Sequence, residues 1–156
     1  MKALKISGVI IGILVAAIVI FAKINHVAPL SMVDSESYDT YSGIALKGYD
    51  AVSYFVSDKP AKGSEAYQYQ WKDAIWQFAS EDNKNSFAAN PSKYAPQFGG
   101  YCSFAVSTGF SAGADPTSYK IKDEKLYLFN GPEVLAEVEK SGEQFWEIAS
   151  LKWRNK

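Results

Sequence analysis

The sequence contains one cysteine, Cys102, and one histidine, His26, among its 156 residues. A single cysteine excludes an internal disulfide bond. Zinc sites built from several Cys and His ligands need more of both residues than the chain has. Because His26 lies before the predicted domain, we expect no Cys/His pair or Ser-His-Asp triad inside that domain. We also find no nucleophile–base pair or spaced carboxylate pair, so an enzyme is the weakest function class.

Long basic runs are absent as well. The chain has 16 Lys and Arg residues against 17 Asp and Glu residues, for a formal net charge of -1. Phosphate binding needs a basic stripe, so no nucleic-acid partner is predicted. The 47% hydrophobic and 15% aromatic content suits one buried core, and a typical domain has about 100 to 150 residues. We therefore expect one globular domain.

Charge is missing altogether from residues 6–22, which are almost wholly apolar and follow Lys2 and Lys5. As a helix, this run would reach about 26 Å, at the short end of a membrane span. We expect residues 1–22 to be a membrane anchor, with the two lysines in the cytoplasm and the rest of the chain outside. The alternative is a cleaved signal segment and a secreted protein, with the best cleavage site ending at Ala22.

Residues 23–42 show no sustained hydrophobic period, and their Pro, Ser and Asp content predicts a tether without core residues. We place His26 at the membrane face of this tether, with no partner nearby that would make it a metal ligand. The domain is predicted to cover residues 43–156. Its fold class is predicted as α+β, with a small antiparallel sheet packed by short helices, in addition to the N-terminal transmembrane helix.

Hydrophobic alternation predicts two hairpins in this domain, at 67–79 and 119–129, and further strands at 51–56 and 101–106. Ser80 is a predicted helix N-cap, and Asn90-Pro91 is predicted to end that helix. Residues 108–116 are predicted as a glycine-rich loop. A helix is expected to begin at Pro132 and to end at Gly142, with a second amphipathic helix after it.

Three segments resemble the YHS domain family: GYDAVSYF (48–55), WQFASEDNKNSFAANPSKYAPQFGGYCSFAVS (76–107) and KLYLFN (125–130). The order and spacing of these segments resemble most closely its secreted or membrane-anchored, single-domain bacterial branch. The resemblance covers roughly residues 43–153. It implies a single-pass protein of the bacterial inner membrane, with the domain in the periplasm or outside the cell.

The chain departs from the metal-binding members of the wider YHS and TRASH group, which carry cysteines at three places. The resemblance implies that Ser53, Ala79 and Asn83 stand at those places. Alanine cannot bind a metal, and Ser and Asn are poor ligands for the soft metals that thiolates select. The heavy-metal role of the family is therefore not transferred to these residues.

Six residues are candidates for a ligand site: Tyr49, Asp50, Tyr54, Tyr101, Cys102 and Asp115. The first three and Asp115 are predicted to line a small polar pocket, although packing by the tyrosines and capping or turns by the aspartates are the alternatives. Cys102 is expected to be a buried small side chain. Its alternative role is as a copper or haem ligand or a redox thiol, completed by a second protein or a dimer mate.

The function predicted first is a membrane-anchored, non-catalytic binding module that recognises a small ligand or a partner protein. Such a module requires no cofactor. The second prediction is a metal-handling or redox-accessory protein that uses Cys102 with copper or haem.

Overall fold

The computed structural model describes residues 2–34, 36–57 and 59–156, with side chains from residue 10 onward. The helices are α1 (Lys2–Ile24), α2 (Ser53–Val56), α3 (Glu81–Ala89), α4 (Pro91–Tyr94), α5 (Ser103–Thr108), α6 (Pro132–Lys140) and α7 (Glu143–Arg154). The strands are β1 (Ala28–Pro29), β2 (Thr40–Tyr41), β3 (Ile44–Ala45), β4 (Ser64–Trp71), β5 (Ala74–Phe78), β6 (Phe110–Ser111), β7 (Asp115–Lys122) and β8 (Lys125–Phe129). Short 3-10 turns occupy Leu30–Met32, Leu46–Gly48 and Gln97–Gly100.

The strands form one sheet of four and two separate pairs. The sheet has the order β2-β3-β5-β4, while β1 pairs with β6 and β7 pairs with β8. Every pair is antiparallel except β3 and β5, which run parallel where Ile44 faces Ile75. The predicted α+β class is confirmed, and the four-stranded sheet is mixed where an antiparallel one was expected.

Both predicted hairpins are confirmed. β4 turns into β5 at Lys72, which has a positive φ of 52°, and Trp71 pairs with Ala74 across the turn. β7 and β8 turn in the same way at Asp123 and Glu124. The predicted N-cap is also confirmed, because the Ser80 hydroxyl accepts the backbone N–H of residue 83 at 3.2 Å.

Two segments that we predicted as strands are helical, and these predictions are wrong. At 51–56, the Asp50 carboxylate accepts the backbone N–H groups of the next turn and starts α2. At 101–106, α5 begins after Cys102 and ends at Gly109 in the left-handed conformation. Ser103 and Val106 point to the same buried side of α5. Side-chain capping by Asp50 in the first segment and packing of one helix face in the second therefore override their apolar composition.

The core consists of two clusters of buried side chains. The first surrounds Trp76, Phe78 and Phe87, between the four-stranded sheet and α3. The second joins β8 to α5, α6 and α7, and its members are Leu30, Phe98, Val106, Tyr127, Phe129, Val138, Phe145 and Ala149. Both clusters include residues of β8, so this strand connects the two halves of the core.

Residues 23–42 are packed against the domain along much of their length. Leu30 belongs to the second core cluster and is 4% exposed. β1 pairs with β6, and Asp39 donates its backbone N–H to the Gly99 carbonyl at 2.7 Å. The prediction that this segment contributes nothing to the core is therefore wrong. The segment itself shows no hydrophobic period, because the strand that β1 pairs with lies about 80 residues away in sequence.

Helix α1 presents apolar side chains on all sides. Its ten large apolar residues from residue 10 onward are between 49% and 67% exposed: Ile10, Ile11, Ile13, Leu14, Val15, Ile18, Val19, Ile20, Phe21 and Ile24. Within residues 2–34, 36–57 and 59–156, no helix has both the length and the apolar character needed to cross a membrane.

Candidate functional site

The last turn of α1 ends in a Schellman motif, and His26 occupies its left-handed position. His26 has a φ of 54°. Its backbone N–H reaches the Lys23 carbonyl at 3.3 Å, and the N–H of Val27 reaches the Ala22 carbonyl at 2.8 Å. Glycine is the usual residue at this position because it has no Cβ to clash. A histidine here has a side chain that leaves the helix axis and points toward the domain.

The His26 side chain is held by two residues of the segment that leads into the domain. Its Nδ1 is hydrogen-bonded to Oδ1 of Asp39, and its ring stacks on Tyr41 with centroids 4.4 Å apart. Burial raises the pKa of Asp39, while His26, the Lys47 charge and the backbone N–H of Ala114 oppose that rise. Sequence reasoning considered partners of His26 only as metal ligands, and it did not identify this hydrogen bond to Asp39.

Hydrogen bonds fix the end of α1 to β6 and to the residues between β6 and β7. Gly113 donates to the Asn25 carbonyl at 2.9 Å, and the Ser111 hydroxyl donates to the His26 carbonyl at 3.0 Å. The same hydroxyl accepts the backbone N–H of Ala28 at 3.1 Å. A Cβ at residue 113 would collide with the Tyr41 hydroxyl, so a larger residue there would force the Tyr41 side chain to move. The helix is thus joined to the domain by a fixed contact.

A cavity of about 590 Å³, which is widely open to solvent, lies beside this contact. Its size is within the range of about 300 to 1,000 Å³ that small-molecule sites usually have. The apolar lining residues are Val19, Ala22, Val27, Ala28, Met32 and Val33. The polar lining residues are Lys23, His26, Asp34, Ser37, Tyr101 and Ser111. The cavity therefore has an amphipathic lining, and part of its wall is the surface of α1.

Two of the polar groups in this cavity are able to bind an anion. Lys23 makes no salt bridge with any residue that the structure describes. Burial raises the pKa of Tyr101 to about 12, with the Asp39 and Asp73 charges adding to the rise and Ser37 opposing it. Tyr101 is therefore a neutral phenol at physiological pH, with a hydroxyl that can donate a hydrogen bond.

Of the six predicted site residues, Tyr101 alone lines this cavity. Asp50 lies elsewhere, fully buried in a network of hydrogen bonds. Its Oδ1 accepts the N–H groups of Val52 at 2.8 Å and Ser53 at 3.3 Å. Its Oδ2 accepts the N–H of Ala79 at 2.9 Å and the amide of Asn83 at 2.6 Å. Asp50 therefore joins α2 to the start of α3, and the hydrogen bonds that its carboxylate accepts all come from protein groups.

The three positions at which the resemblance implies cysteines in metal-binding relatives meet around Asp50. Ser53 donates its hydroxyl to the Asp50 carbonyl at 2.6 Å and accepts the N–H of Ala61 at 2.8 Å. Ala79 and Asn83 both donate to the Asp50 side chain. A carboxylate surrounded by hydrogen-bond donors thus fills the space between these three residues.

Tyr54 lies on the far side of α2 from solvent, and its exposed fraction is 4%. Its hydroxyl donates to the Pro116 carbonyl at 2.8 Å, and its ring meets that of Tyr119 edge to face at 4.9 Å. Burial, followed by the neighbouring Tyr49 and Tyr119 groups, raises the pKa of Tyr54 far above its ordinary value. The phenol is therefore a neutral packing group whose hydroxyl is already bonded.

Tyr49 and Asp115 have local roles on either side of Tyr54. The Lys62 ammonium lies 4.1 Å from the centre of the Tyr49 ring, which is a cation–π contact. Asp115 Oδ1 accepts both the N–H and the hydroxyl of Thr117 at 2.8 Å. This is the turn chemistry given above as the alternative role of the aspartate.

Cys102 is 3% exposed, so the expectation of a buried small side chain is confirmed. Its N–H donates to the Ala112 carbonyl at 2.9 Å, and it forms a single parallel bridge with Leu128 of β8. Among the described residues, no three His, Cys, Asp or Glu side chains are grouped so that they could hold a metal ion. The use of Cys102 with copper or haem stays a prediction.

Sequence reasoning missed most of the residues around the cavity. His26 was expected at the membrane face without a partner that would make it a metal ligand, and Lys23, Asp39 and Ser111 were not considered as site residues. The local pattern gave no signal, since His26 and Asp39 are 13 residues apart in a stretch without a sustained hydrophobic period. Only a lone histidine at the end of an apolar helix could have drawn attention to this place.

Comparisons of the chain with protein-family models, with curated proteins and with solved structures found no match. The resemblance to the YHS family therefore stays a prediction that depends on the three quoted segments.

Proposed function

We propose that this protein is a membrane-anchored, non-catalytic binding domain, whose ligand site is the cavity at the end of α1. The observation that supports it is the position of this cavity. Apolar residues of α1 line the cavity, and so do His26 and Ser111 of the fixed contact. A small ligand bound there would touch both the anchor and the domain.

The apolar run of residues 6–22 and the exposed side chains of α1 support the anchor. A water-soluble protein rarely exposes an apolar patch larger than a few hundred Å². Lys2 and Lys5 favour an orientation in which the N-terminus is cytoplasmic and the domain is outside the inner membrane. Secretion after cleavage near Ala22 is the alternative.

The bonding of the polar groups supports a binding role over a catalytic one. His26 is paired with Asp39 and stacked on Tyr41. The Ser111 hydroxyl is bonded to backbone groups of residues 26 and 28, so it is already engaged by the backbone. These groups stabilise the contact between helix and domain. Lys23 has no salt bridge among the described residues, and the Tyr101 hydroxyl interacts with Ser37 in the lining of the cavity, so both can contact a ligand.

The orientation can be tested by adding protease to intact spheroplasts that produce the full chain. We expect the domain to be degraded from outside while a cytoplasmic marker survives. Degradation only after lysis would place the domain inside the cell and would rule out the proposed orientation. A variant that lacks residues 1–22 serves as the control and is expected to remain in the cytoplasm.

A further inference from the structure

We propose that the cavity at the end of α1 binds one phospholipid with a primary-amine headgroup, such as phosphatidylethanolamine. This inference rests on the proposed function, because the lipid would enter from the bilayer that holds α1. Val19, Ala22 and Met32 would contact an acyl chain, while Lys23 and Tyr101 would bind the phosphate.

The division of the lining into apolar and polar residues supports a ligand of mixed character. Val19 and Ala22 belong to the last turns of α1, so the apolar wall continues directly into the exposed apolar surface of residues 10–21. An acyl chain that lies against this wall would stay within the hydrocarbon region of the bilayer. A fully water-soluble ligand would leave the same wall without an apolar partner.

The charges of the lining support a headgroup that carries both signs. Lys23 has no salt-bridge partner among the described residues, and an ammonium is a common phosphate ligand in proteins. Tyr101 adds a neutral hydroxyl donor. Asp34 lines the same cavity and would repel an anionic headgroup without a cation. A primary ammonium next to the phosphate would satisfy Asp34 by a charge-assisted hydrogen bond, which a trimethylammonium group cannot donate.

The other charged groups near the cavity are compatible with this arrangement. His26 is committed to Asp39, so its ring adds little further charge to the headgroup. Lys156 donates to the backbone carbonyl of Asp34 at 3.3 Å, and the Asp34 carboxylate accepts the N–H of Glu36 at 2.7 Å. One oxygen of the Asp34 carboxylate is therefore left for the lipid ammonium.

Native mass spectrometry of the full chain, released from nanodiscs, tests the proposal. The nanodiscs contain equal parts of phosphatidylethanolamine, phosphatidylglycerol and phosphatidylcholine. We expect one phosphatidylethanolamine to stay bound after the loosely attached lipids have been removed. Equal retention of the three lipids, or retention of none, would overturn the proposal. Soluble phosphoethanolamine, added to the protein in detergent, should not bind, because it lacks the acyl chains of the lipid.

Two pairs of variants locate the lipid. Ala22→Phe fills the cavity, and Ala17→Phe adds the same group to an exposed position of α1 outside it. Lys23→Gln removes the cation, and Lys152→Gln removes an exposed lysine of α7. We expect Ala22→Phe and Lys23→Gln each to lower the retained fraction about tenfold, while both controls match the unmodified chain. Equal retention by Ala22→Phe and Ala17→Phe would contradict the proposed site.

The outcomes separate this proposal from the proposed function. If the chain does not enter nanodiscs, the membrane anchor itself is wrong. If it enters them without retaining a lipid, only the lipid site is wrong. Thermal unfolding of each variant controls for loss of structure, and Lys23→Gln replaces an exposed side chain, so it should leave the fold intact.

Discussion

His26 joins helix α1 to the domain through its backbone and its side chain. Its backbone ends the helix in the left-handed conformation, and its ring reaches Asp39 and Tyr41. Because Asp39 is buried, removing His26 would leave a carboxylate that only the Ala114 N–H and the Lys47 charge still stabilise. The two contributions of His26 can be separated, since alanine lacks the ring and glycine lacks both the ring and the Cβ.

We expect His26→Ala to lower the free energy of unfolding in detergent by about 2 kcal/mol, the typical loss for a hydrogen bond to a charged group. His26→Gly should recover about 1 kcal/mol of that loss, because glycine adopts the left-handed conformation without strain. Equal stabilities of the two variants would contradict the backbone role. Full stability of both would contradict the role of the side chain.

The loss of unfolding free energy caused by His26→Ala should depend on pH. His26 lowers the pKa of Asp39, which burial raises above its ordinary value of 3.8. Without His26 that pKa rises further, so the variant loses stability as the pH rises from about 4 through the raised pKa. The difference from the unmodified chain should therefore shrink below about pH 4, where Asp39 is protonated in both. A pH-independent difference in chemical unfolding would contradict this linkage.

Asp50 stabilises the fold by accepting four hydrogen bonds in a fully buried place. We expect Asp50→Ala to lower the free energy of unfolding by about 3 kcal/mol or more, since buried donors would lose their acceptor. Asp82→Asn, at an exposed position of α3, is the matched control and should change stability by less than about 0.5 kcal/mol. Similar midpoints for the two variants in a urea titration would show that the Asp50 network contributes little.

Cys102 should react slowly with a neutral alkylating reagent, because its side chain is almost inaccessible. Cys102→Ala is expected to cost about 1 kcal/mol, as for removal of one small group from a core. Cys102→Ser should cost more, because a buried hydroxyl needs a partner. Rapid labelling of the native protein at neutral pH, at a rate that denaturant does not increase, would show that the thiol is accessible. That result would favour the copper or haem alternative.

At the scale of elements, the sequence predicted those whose signals are local. β4 and β5 alternate over several residues, and Ser80 and Pro132 mark helix starts by their own chemistry. α2 was missed although Asp50 caps it locally, through the N–H groups of Val52 and Ser53. α5 has no side-chain cap, and Cys102 before it is placed by the bridge to β8, so its start has no local signal. The parallel contact of β3 with β5 has no local signal either.

The cavity escaped prediction for the same reason. Its walls come from α1, the 3-10 turn at Leu30–Met32, Tyr101 and Ser111, which are brought together by pairing of β1 with β6. Two-residue strands are too short to show a period of hydrophobicity. A site assembled from such short contacts becomes visible only once the chain is folded.

The segment between α1 and β2 should therefore be needed for stability. We expect a chain that begins at Tyr38 to be about 4 kcal/mol less stable than one that begins at Asn25, because it loses the buried Leu30 side chain and the partner of Asp39. Chemical unfolding of the two truncated chains, followed by tryptophan fluorescence, measures the difference. Equal stabilities would show that the segment is a passive tether after all.

At the scale of the whole molecule, the domain is bonded to the residues that directly follow the apolar helix. Asn25, His26 and Ala28 are bonded to Ser111 of β6 or to Gly113 within four residues of the end of α1. In the proposed arrangement, this short connection would hold the domain close to the bilayer surface. The ligand cavity would then lie at the boundary between lipid and water.

Membrane residence of the intact chain is the most direct measurement of the proposed anchor. Cell membranes are washed at alkaline pH, which removes peripheral proteins, and the mass of the retained protein is then determined. We expect the protein to remain in the washed membranes with a mass that includes residue 1. A soluble exported form that begins near Lys23 would contradict the anchor and would favour cleavage of a signal segment.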